Sequence, residues 1–383
     1  MRSLLKATPG LAVDIGFSNG WKYRGGWPRI PRSCAKSSGD RRQRKTAWTP
    51  RMSAHNNHRP VSFADITAAR ERIQHRIHRT PIVTSASLNA LCGVRVFLKC
   101  ENFQRAGVFK ARGAFNAVFS LSEPEAARGV VTSSSGNQAA ALSLAARTRG
   151  IRAHIAMPRI AVKAKIAAVQ RYGGNIVWVE SRGTVPTAEE YDATVARIQS
   201  ETHATAVHPY DDARTIAGQG TCALEFLEDC PDLDLVLAPV GGGGLLAGTA
   251  VAVKALNAAV RVIGCEPAAA DDAQRSLRSG HRVTFQEAPR TIADGLRTSL
   301  GELTFAIISK DVDDIVTVTE ESIVRAMRLA WEVLKVIIEP SSAVALAALT
   351  EKRLPGVDGK RVGVIVSGGN ADLDQLPWTK QSP

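Results

Sequence analysis

Lys110 stands alone in "ENFQRAGVFKARGAFNA", residues 101–117, with Phe109 and Arg112 close by and glycines and apolar residues around it. An ammonium in a half-buried stretch costs free energy unless it is paired, neutral or covalently engaged. The plainer alternative is a surface lysine at a helix start with its stem packed on Phe109. Three other segments carry residues suited to an anion or a flat ligand. "SSSGNQ", residues 133–138, puts small hydroxyls, a glycine and an amide at a helix start, where backbone N–H groups are free to take an anion; a simple cap is the competing reading. "GGGG", residues 241–244, lets several N–H groups converge on a phosphate. "VSGGN", residues 366–370, offers the Ser367 hydroxyl and two glycines, or merely a turn.

Each of these segments follows a predicted strand: "VRVFLKCE", "GVVTSS", "LDLVLAPV" and "KRVGVIVS". The first three lead into helices, "KARGAFNAVFSL", "NQAAALSLAARTRG" and "LLAGTAVAVKAL". "RAHIAMP", "NIVWVE", "RVIGCEP" and "DDIVTVT" read as further strands; "FADITAARERIQHRI", capped by Ser62, "EESIVRAMRLAWEVL" and "SSAVALAALTEKR" read as helices. Short apolar strands alternating with helices predict an α/β protein with parallel sheets covered on both faces. Ligands of such sheets bind beyond the carboxyl ends of the strands, which is where the four segments lie.

Two cofactors compete for these loops. Gly242–Ala247 fits G-x-G-x-x-A, and Glu266 ends the next strand, so a nicotinamide-dependent dehydrogenase with Glu266 on the ribose is a rival reading. No G-K-[ST] follows the glycines, which excludes a Walker loop. A dinucleotide accounts only for the glycines. A phosphate cradle, a carboxylate-sized anion loop, a half-buried lysine and a late strand-end hydroxyl together match pyridoxal phosphate with an amino-acid substrate.

Charge narrows the partners. The net charge is +13, but residues 1–51 hold twelve Lys/Arg against Asp14 and Asp40, leaving +3 on the remaining 332 residues. The body has no basic stripe with interleaved aromatics, so nucleic acid is not an expected partner. The leader, residues 1–55, is basic, Ser-containing and acid-poor, which fits disorder, an organelle transit peptide or a start placed upstream of Met52; a cytoplasmic protein is the first expectation and an organelle the second. Six cysteines show no C-x-x-C pair and read as reduced thiols. Residues 235–253 are uncharged over a membrane-spanning length, but Pro239 and the four glycines suit a strand–loop–helix junction, so no membrane partner is expected.

Over residues 63–373 the sequence closely resembles the fold-type II pyridoxal-phosphate family of serine/threonine dehydratases and serine racemases. The motifs that carry the resemblance run in order: "KCENFQRAGVFKARGA", "SSGNQAAAL", "HPYDDARTIAGQGT", "VGGGGLLAGTA", "EPAAADDAQRS", "TIADGL", "VDDIVTVTE", "EPSSAVALAAL" and "VSGGNADL". The resemblance implies a tryptophan-synthase-β-like fold of two three-layer domains. Residues 56–128 and 210–376 would form the larger, 129–209 a smaller mobile domain inserted in it, and 377–383 a tail. It implies a Schiff base on Lys110, with Phe109 against the cofactor ring and Asn137 on its phenolic oxygen. Gly241, Gly242, Gly243, Gly244 and Leu245 would hold the phosphate, Glu339 would lie at the cofactor, and Ser367 would face the pyridine nitrogen. Ser134, Ser135, Asn137 and Gln138 would take the substrate carboxylate through loop N–H groups. Ser135 is also the position of the second acid/base in the racemases. Glu266, Ala270 and Asp272 match the family's divalent-cation motif for Mg²⁺, Mn²⁺ or Ca²⁺, with a solvated acidic turn as the alternative. A homodimer is the family expectation.

The expected reaction is α,β-elimination from L-threonine or L-serine to a 2-oxo acid and ammonia. Serine racemase and 3-hydroxyaspartate dehydratase are the alternatives within the family. The sequence departs from the family where Thr-Gly-Ser-Phe-Lys becomes Ala106-Gly107-Val108-Phe109-Lys110, and where the usual histidine becomes Gln138. The first change predicts a more apolar wall beside the cofactor, with room for a bulkier or more apolar β-substituent than serine's.

Overall fold

The computed structural model describes residues 60–161, 163–181, 183 and 186–379. The basic leader and the last residues of the tail therefore lie outside the described residues. Among the described residues, ten strands form two sheets. The larger sheet contains β1 (Ile82–Val83), β2 (Arg95–Cys100), β7 (Leu235–Pro239), β8 (Arg261–Pro267), β9 (Asp314–Val318) and β10 (Arg361–Val366), in the order β1-β2-β10-β7-β8-β9. The smaller contains β3 (Val130–Ser133), β4 (Ala153–Met157), β5 (Asn175–Trp178) and β6 (Thr205–Ala206), in the order β5-β4-β3-β6. Every pairing is parallel except β1 with β2.

Parallel pairing follows from helical crossovers, and the helices bury both faces of the larger sheet. Along β7, Val236 and Ala238 pack with the helices Ala213–Asp229 and Gly244–Leu256. Leu235 and Leu237 face the helix Pro340–Thr350 on the opposite side. The segment 235–253, long enough to span a bilayer as sequence, is thus β7, a glycine loop and a buried helix; no helix of the described residues is long and apolar enough to cross a membrane. The helix Phe63–Ile73 begins with the expected Ser62 cap, closed into a capping box by Asp65.

Two details differ from the expected elements. The helix predicted over residues 320–334 is α-helical only to Leu329. It continues as a π-turn, Ala330–Leu334, and ends at Lys335 in the left-handed conformation (φ 58°), which turns the chain toward Glu339. The two-residue strands β1 and β6 carry no alternating pattern and gave no sequence signal.

What positions Lys110 is a buried ionic cluster just beneath it. Arg112, fully buried in the helix Lys110–Phe119, donates through Nε and Nη2 to Glu101 at 2.7 and 2.8 Å and through Nη1 and Nη2 to Glu225, both at 2.8 Å. Lys99 Nζ donates to the same Glu225 at 3.0 Å and to the Thr80 carbonyl at 2.9 Å. Two cations and two carboxylates thus pin the strand β2 and two helices to one another, in a place where none of the four charges could stand unpaired.

Candidate active site

The loops after β2, β10 and β7, three neighbouring strands, meet the loop after β3 around one cavity of about 460 Å³. All four segments singled out from the sequence contribute to its wall: Phe109 and Lys110, residues 133–138, residues 241–245, and Ser367. Glu339 lines it as well. The sequence spacing among these residues is large; the order of the larger sheet brings the loops after β2, β10 and β7 together, and the smaller sheet supplies the loop after β3.

Lys110 is the first residue of its helix. Its Nζ donates to the Pro209 carbonyl at 2.6 Å and lies 5.2 Å from the centroid of the Phe109 ring. No carboxylate forms an ion pair with it among the described residues. Burial lowers its pKa to about 8, and the positive end of the helix acts in the same direction. The lysine is therefore without a carboxylate partner and gives up its proton more readily than an ordinary lysine, which favours a nucleophilic amine.

Two helix N-termini open onto the same cavity. The helix Asn137–Arg149 follows the Ser133–Gln138 loop, and the helix Gly244–Leu256 follows the four glycines. Each presents free N–H groups and a positive dipole end, so the cavity is built for two anions. Gly243 caps the second helix at φ 90°, a conformation that disfavours a side chain. A Cβ on Gly242 would lie 2.3 Å from the Tyr210 ring, so the loop owes its close fit to the absence of side chains.

Asn137 is held from both ends. Its Nδ2 donates to Glu339 Oε1 and Oε2 at 2.9 and 3.1 Å, and its Oδ1 accepts from Asn370 Nδ2 at 2.9 Å. Asn370 Nδ2 also donates to the Ala106 carbonyl at 2.9 Å, which ties three loops together. Burial, and then Asp294, push the Glu339 carboxyl up to about 7, against the Asn137 hydrogen bond and Lys165. Ser367 is buried; its hydroxyl shares a 3.0 Å hydrogen bond with Ser342 Oγ, and its carbonyl accepts from Phe109 N–H at 2.9 Å. Ser135 is exposed on the cavity wall, while the Gln138 side chain is buried with neither amide atom hydrogen-bonded.

The expected apolar wall is corrected by the structure. Neither Ala106 nor Val108 lines the cavity: Val108 is fully buried, bridged to Gly368, and Ala106 sits in a left-handed turn (φ 59°). The chain twists between β2 and Lys110, so these side chains face away. The walls beyond the four loops are instead polar, with Lys165, Tyr191, Asp192, His208, Asp294 and Thr298 among them. Sequence reasoning assigned none of these a role, although "HPYDD" and "TIADGL" were visible as motifs. His208 accepts from Asp211 N–H on Nδ1 at 2.8 Å, so its proton sits on Nε2, and burial lowers its pKa.

Glu266, Ala270 and Asp272 lie apart from the cavity. Glu266 accepts N–H bonds from Ala273 and Gln274 at 3.3 and 2.8 Å, and Asp272 accepts one from Leu300 at 3.0 Å. Burial pushes Glu266 up to about 9 and Asp272 up to about 6, and no ion pair reaches either carboxylate among the described residues.

The family described as "Pyridoxal-phosphate dependent enzyme" matches residues 73–368. A β-hydroxyaspartate dehydratase of Paracoccus denitrificans (strain Pd 1222) is 50% identical over 317 residues, covering 83% of this chain and 98% of its own. The structure of maize serine racemase superposes with a TM-score of 0.80 at 43% identity, covering 84% of this chain and 96% of that one. The crystal structure of a T.th. threonine deaminase gives 0.75 at 44% identity, covering 81% and 99%.

Proposed function

The chain belongs to the pyridoxal-phosphate dependent enzymes, and from that premise we propose that it is an ammonia-lyase converting a β-hydroxy amino acid, L-threonine or L-serine, to a 2-oxo acid and ammonia. One observation carries the reading: a half-buried lysine amine with no carboxylate paired to it among the described residues shares a cavity with two helix N-termini and a buried serine hydroxyl.

The residues present fit the cofactor. Gly241–Gly244 and Leu245 would hold its phosphate, Phe109 would pack on its ring, and Ser367 would face the ring nitrogen. Asn137, its amide held by Glu339 and Asn370, would lie at the phenolic oxygen. When bound, pyridoxal phosphate supplies the electron sink for the pair left on the substrate α-carbon. Serine shares a hydrogen bond without forcing protonation of the ring nitrogen as an aspartate would, which suits elimination. The loop N–H groups of Ser134, Ser135, Asn137 and Gln138 would fix the substrate carboxylate. Lys110, as neutral amine, takes the α-proton, and the Pro209 carbonyl is placed to receive the N–H of the resulting ammonium. Racemisation is the second reading, favoured by the exposed hydroxyl of Ser135 and by the serine racemase relatives.

Two buried carboxylates without a paired cation also favour a divalent ion held by Glu266, Asp272 and the Ala270 carbonyl, where oxygen ligands suit Mg²⁺, Mn²⁺ or Ca²⁺.

The test is a panel of β-hydroxy amino acids scored for 2-oxo acid and for inverted enantiomer, with wild type beside Lys110→Ala. The lysine variant is expected to lose at least ~10³-fold in kcat and to give no borohydride-labelled peptide containing residue 110. A Lys110→Ala protein that still deaminates threonine or serine sinks the assignment.

A further inference from the structure

Pro209 presents its carbonyl to Lys110 Nζ at 2.6 Å, and the same peptide unit sends the Tyr210 N–H the other way. In a planar trans peptide these two groups point in opposite directions. The Tyr210 N–H is received, at 3.4 Å, by Nδ1 of His208, which also accepts from Asp211 N–H at 2.8 Å. One rigid peptide plane therefore spans the distance from an imidazole to the lysine amine.

The imidazole stands where a backbone oxygen would ordinarily close a turn. The His208 carbonyl is engaged elsewhere, accepting from Thr215 Oγ1 at 3.1 Å. Pro209 has no N–H, and its ring fixes φ but not the direction of its carbonyl, which follows whatever holds the next N–H groups. The far end of the turn is clamped, because the Asp211 carboxylate takes the N–H groups of Glu302, Leu303 and Thr304 at 3.0, 2.9 and 3.2 Å. At the near end the holding group is the His208 ring, which packs edge-on against Tyr210 with centroids 4.5 Å apart.

We propose that His208 is a positioning residue for the reaction: its Nδ1, as an unprotonated acceptor, sets the peptide plane that seats the Lys110 amine on the Pro209 carbonyl. The proposal rests on the reading of Lys110 as the amine that bonds the cofactor, and assigns His208 a part in it that acts through the backbone. Without the seat, the flexible four-carbon stem of the lysine leaves the amine free to wander, and a misplacement of about 1 Å costs about 10²-fold in rate.

Two consequences distinguish this role from a direct one. Asparagine places an oxygen where Nδ1 stands and closes the same turn, whereas glutamine reaches one bond further, toward the position of Nε2. An imidazolium carries a proton on Nδ1 and cannot accept, so the seat is present above the His208 pKa and lost below it. Burial, together with Lys110, holds that pKa below the usual 6.5, against Asp211 and Asp212 on the same segment and Asp192 on the helix Ala188–Thr202.

The test mixes full-chain apoprotein with pyridoxal phosphate and follows covalent capture by stopped-flow absorbance, with borohydride labelling to identify the residue. His208→Ala and His208→Gln are expected to capture about 10–10²-fold more slowly than wild type, and their holoenzymes to lose kcat by a similar factor with KM little changed. His208→Asn should stay within about threefold of wild type. On acidification below pH 6.5, the wild-type rate should fall more steeply than the His208→Asn rate, since only wild type loses its acceptor. Rescue by glutamine in place of asparagine means that the ring acts through Nε2 and overturns the proposal. Equal rates in all four proteins, an equal loss in all three variants, or parallel acid limbs in wild type and His208→Asn overturn it as well. A wild type that binds the cofactor without a label on residue 110 overturns the reading of Lys110 and the proposal with it, whereas variants labelled there at the wild-type rate sink the proposal and leave that reading standing.

Discussion

Lys110 Nζ is hydrogen-bonded to the Pro209 carbonyl at 2.6 Å, with no carboxylate paired to it among the described residues. A carbonyl accepts from an ammonium or from an amine, so the contact survives deprotonation. It holds the amine in place without fixing its charge.

That arrangement predicts a pH profile. Burial lowers the Lys110 pKa from 10.5 to about 8, and only the neutral amine attacks an aldehyde. The rate at which apoprotein captures pyridoxal phosphate covalently should rise with pH up to about 8 and level off above it. Stopped-flow absorbance from pH 6 to 10 checks this. A rate still climbing tenfold per unit between pH 9 and 10 would mean an ordinary lysine.

Stability should depend on Arg112 more than on any exposed charge. Arg112→Met leaves Glu101 buried without its cation and Glu225 held by Lys99, and breaking such a cluster costs about 3–5 kcal/mol. Arg112 and Lys99 hold Glu225 below the usual carboxylate range despite its burial. Its stabilising share is therefore present above the unfolded carboxylate pKa and lost as acid takes pH through the lower folded value. Urea melts of the apoprotein measure both effects. A loss under about 1 kcal/mol would show that the cluster tolerates a missing member.

Metal binding should appear as stabilisation. If Glu266 and Asp272 take a divalent ion, millimolar Mg²⁺, Mn²⁺ or Ca²⁺ should raise Tm by a few degrees near pH 7, and Asp272→Asn should abolish the rise. An unchanged Tm in all three metals removes the site. Chelator controls guard against metal carried through purification.

The readable part of the site was the part made of backbone. Glycines, small hydroxyls and a lysine directly after apolar strands mark strand-end loops, and Lys110, residues 133–138, residues 241–245 and Ser367 were legible for that reason. Lys165 and Asp294 were not, because an ordinary lysine in an amphipathic helix and an aspartate in a loop show nothing until two distant segments face each other. Ala106 and Val108 misled for a related reason. Their closeness to Lys110 in sequence suggested closeness to the ligand, but the left-handed turn at Ala106 and the bridge from Val108 to Gly368 point them elsewhere. The parallel sheets were expected from the strand–helix rhythm. The short β1 and β6 are held by their neighbours and have no pattern of their own.

The order of the larger sheet carries a consequence for how the protein is made. β10, the last strand of the described residues, lies between β2 and β7, in register with Leu98 on one side and Leu237 on the other. A ribosome adding about 5–20 residues per second therefore delivers β2 and β7 well before the strand that joins them. Until then, the lysine loop and the glycine loop belong to edges waiting to be closed. Cofactor capture is thus a late event in the birth of this enzyme, and the growing chain has to keep two apolar strand edges from finding other partners while the middle of its sheet is still being translated.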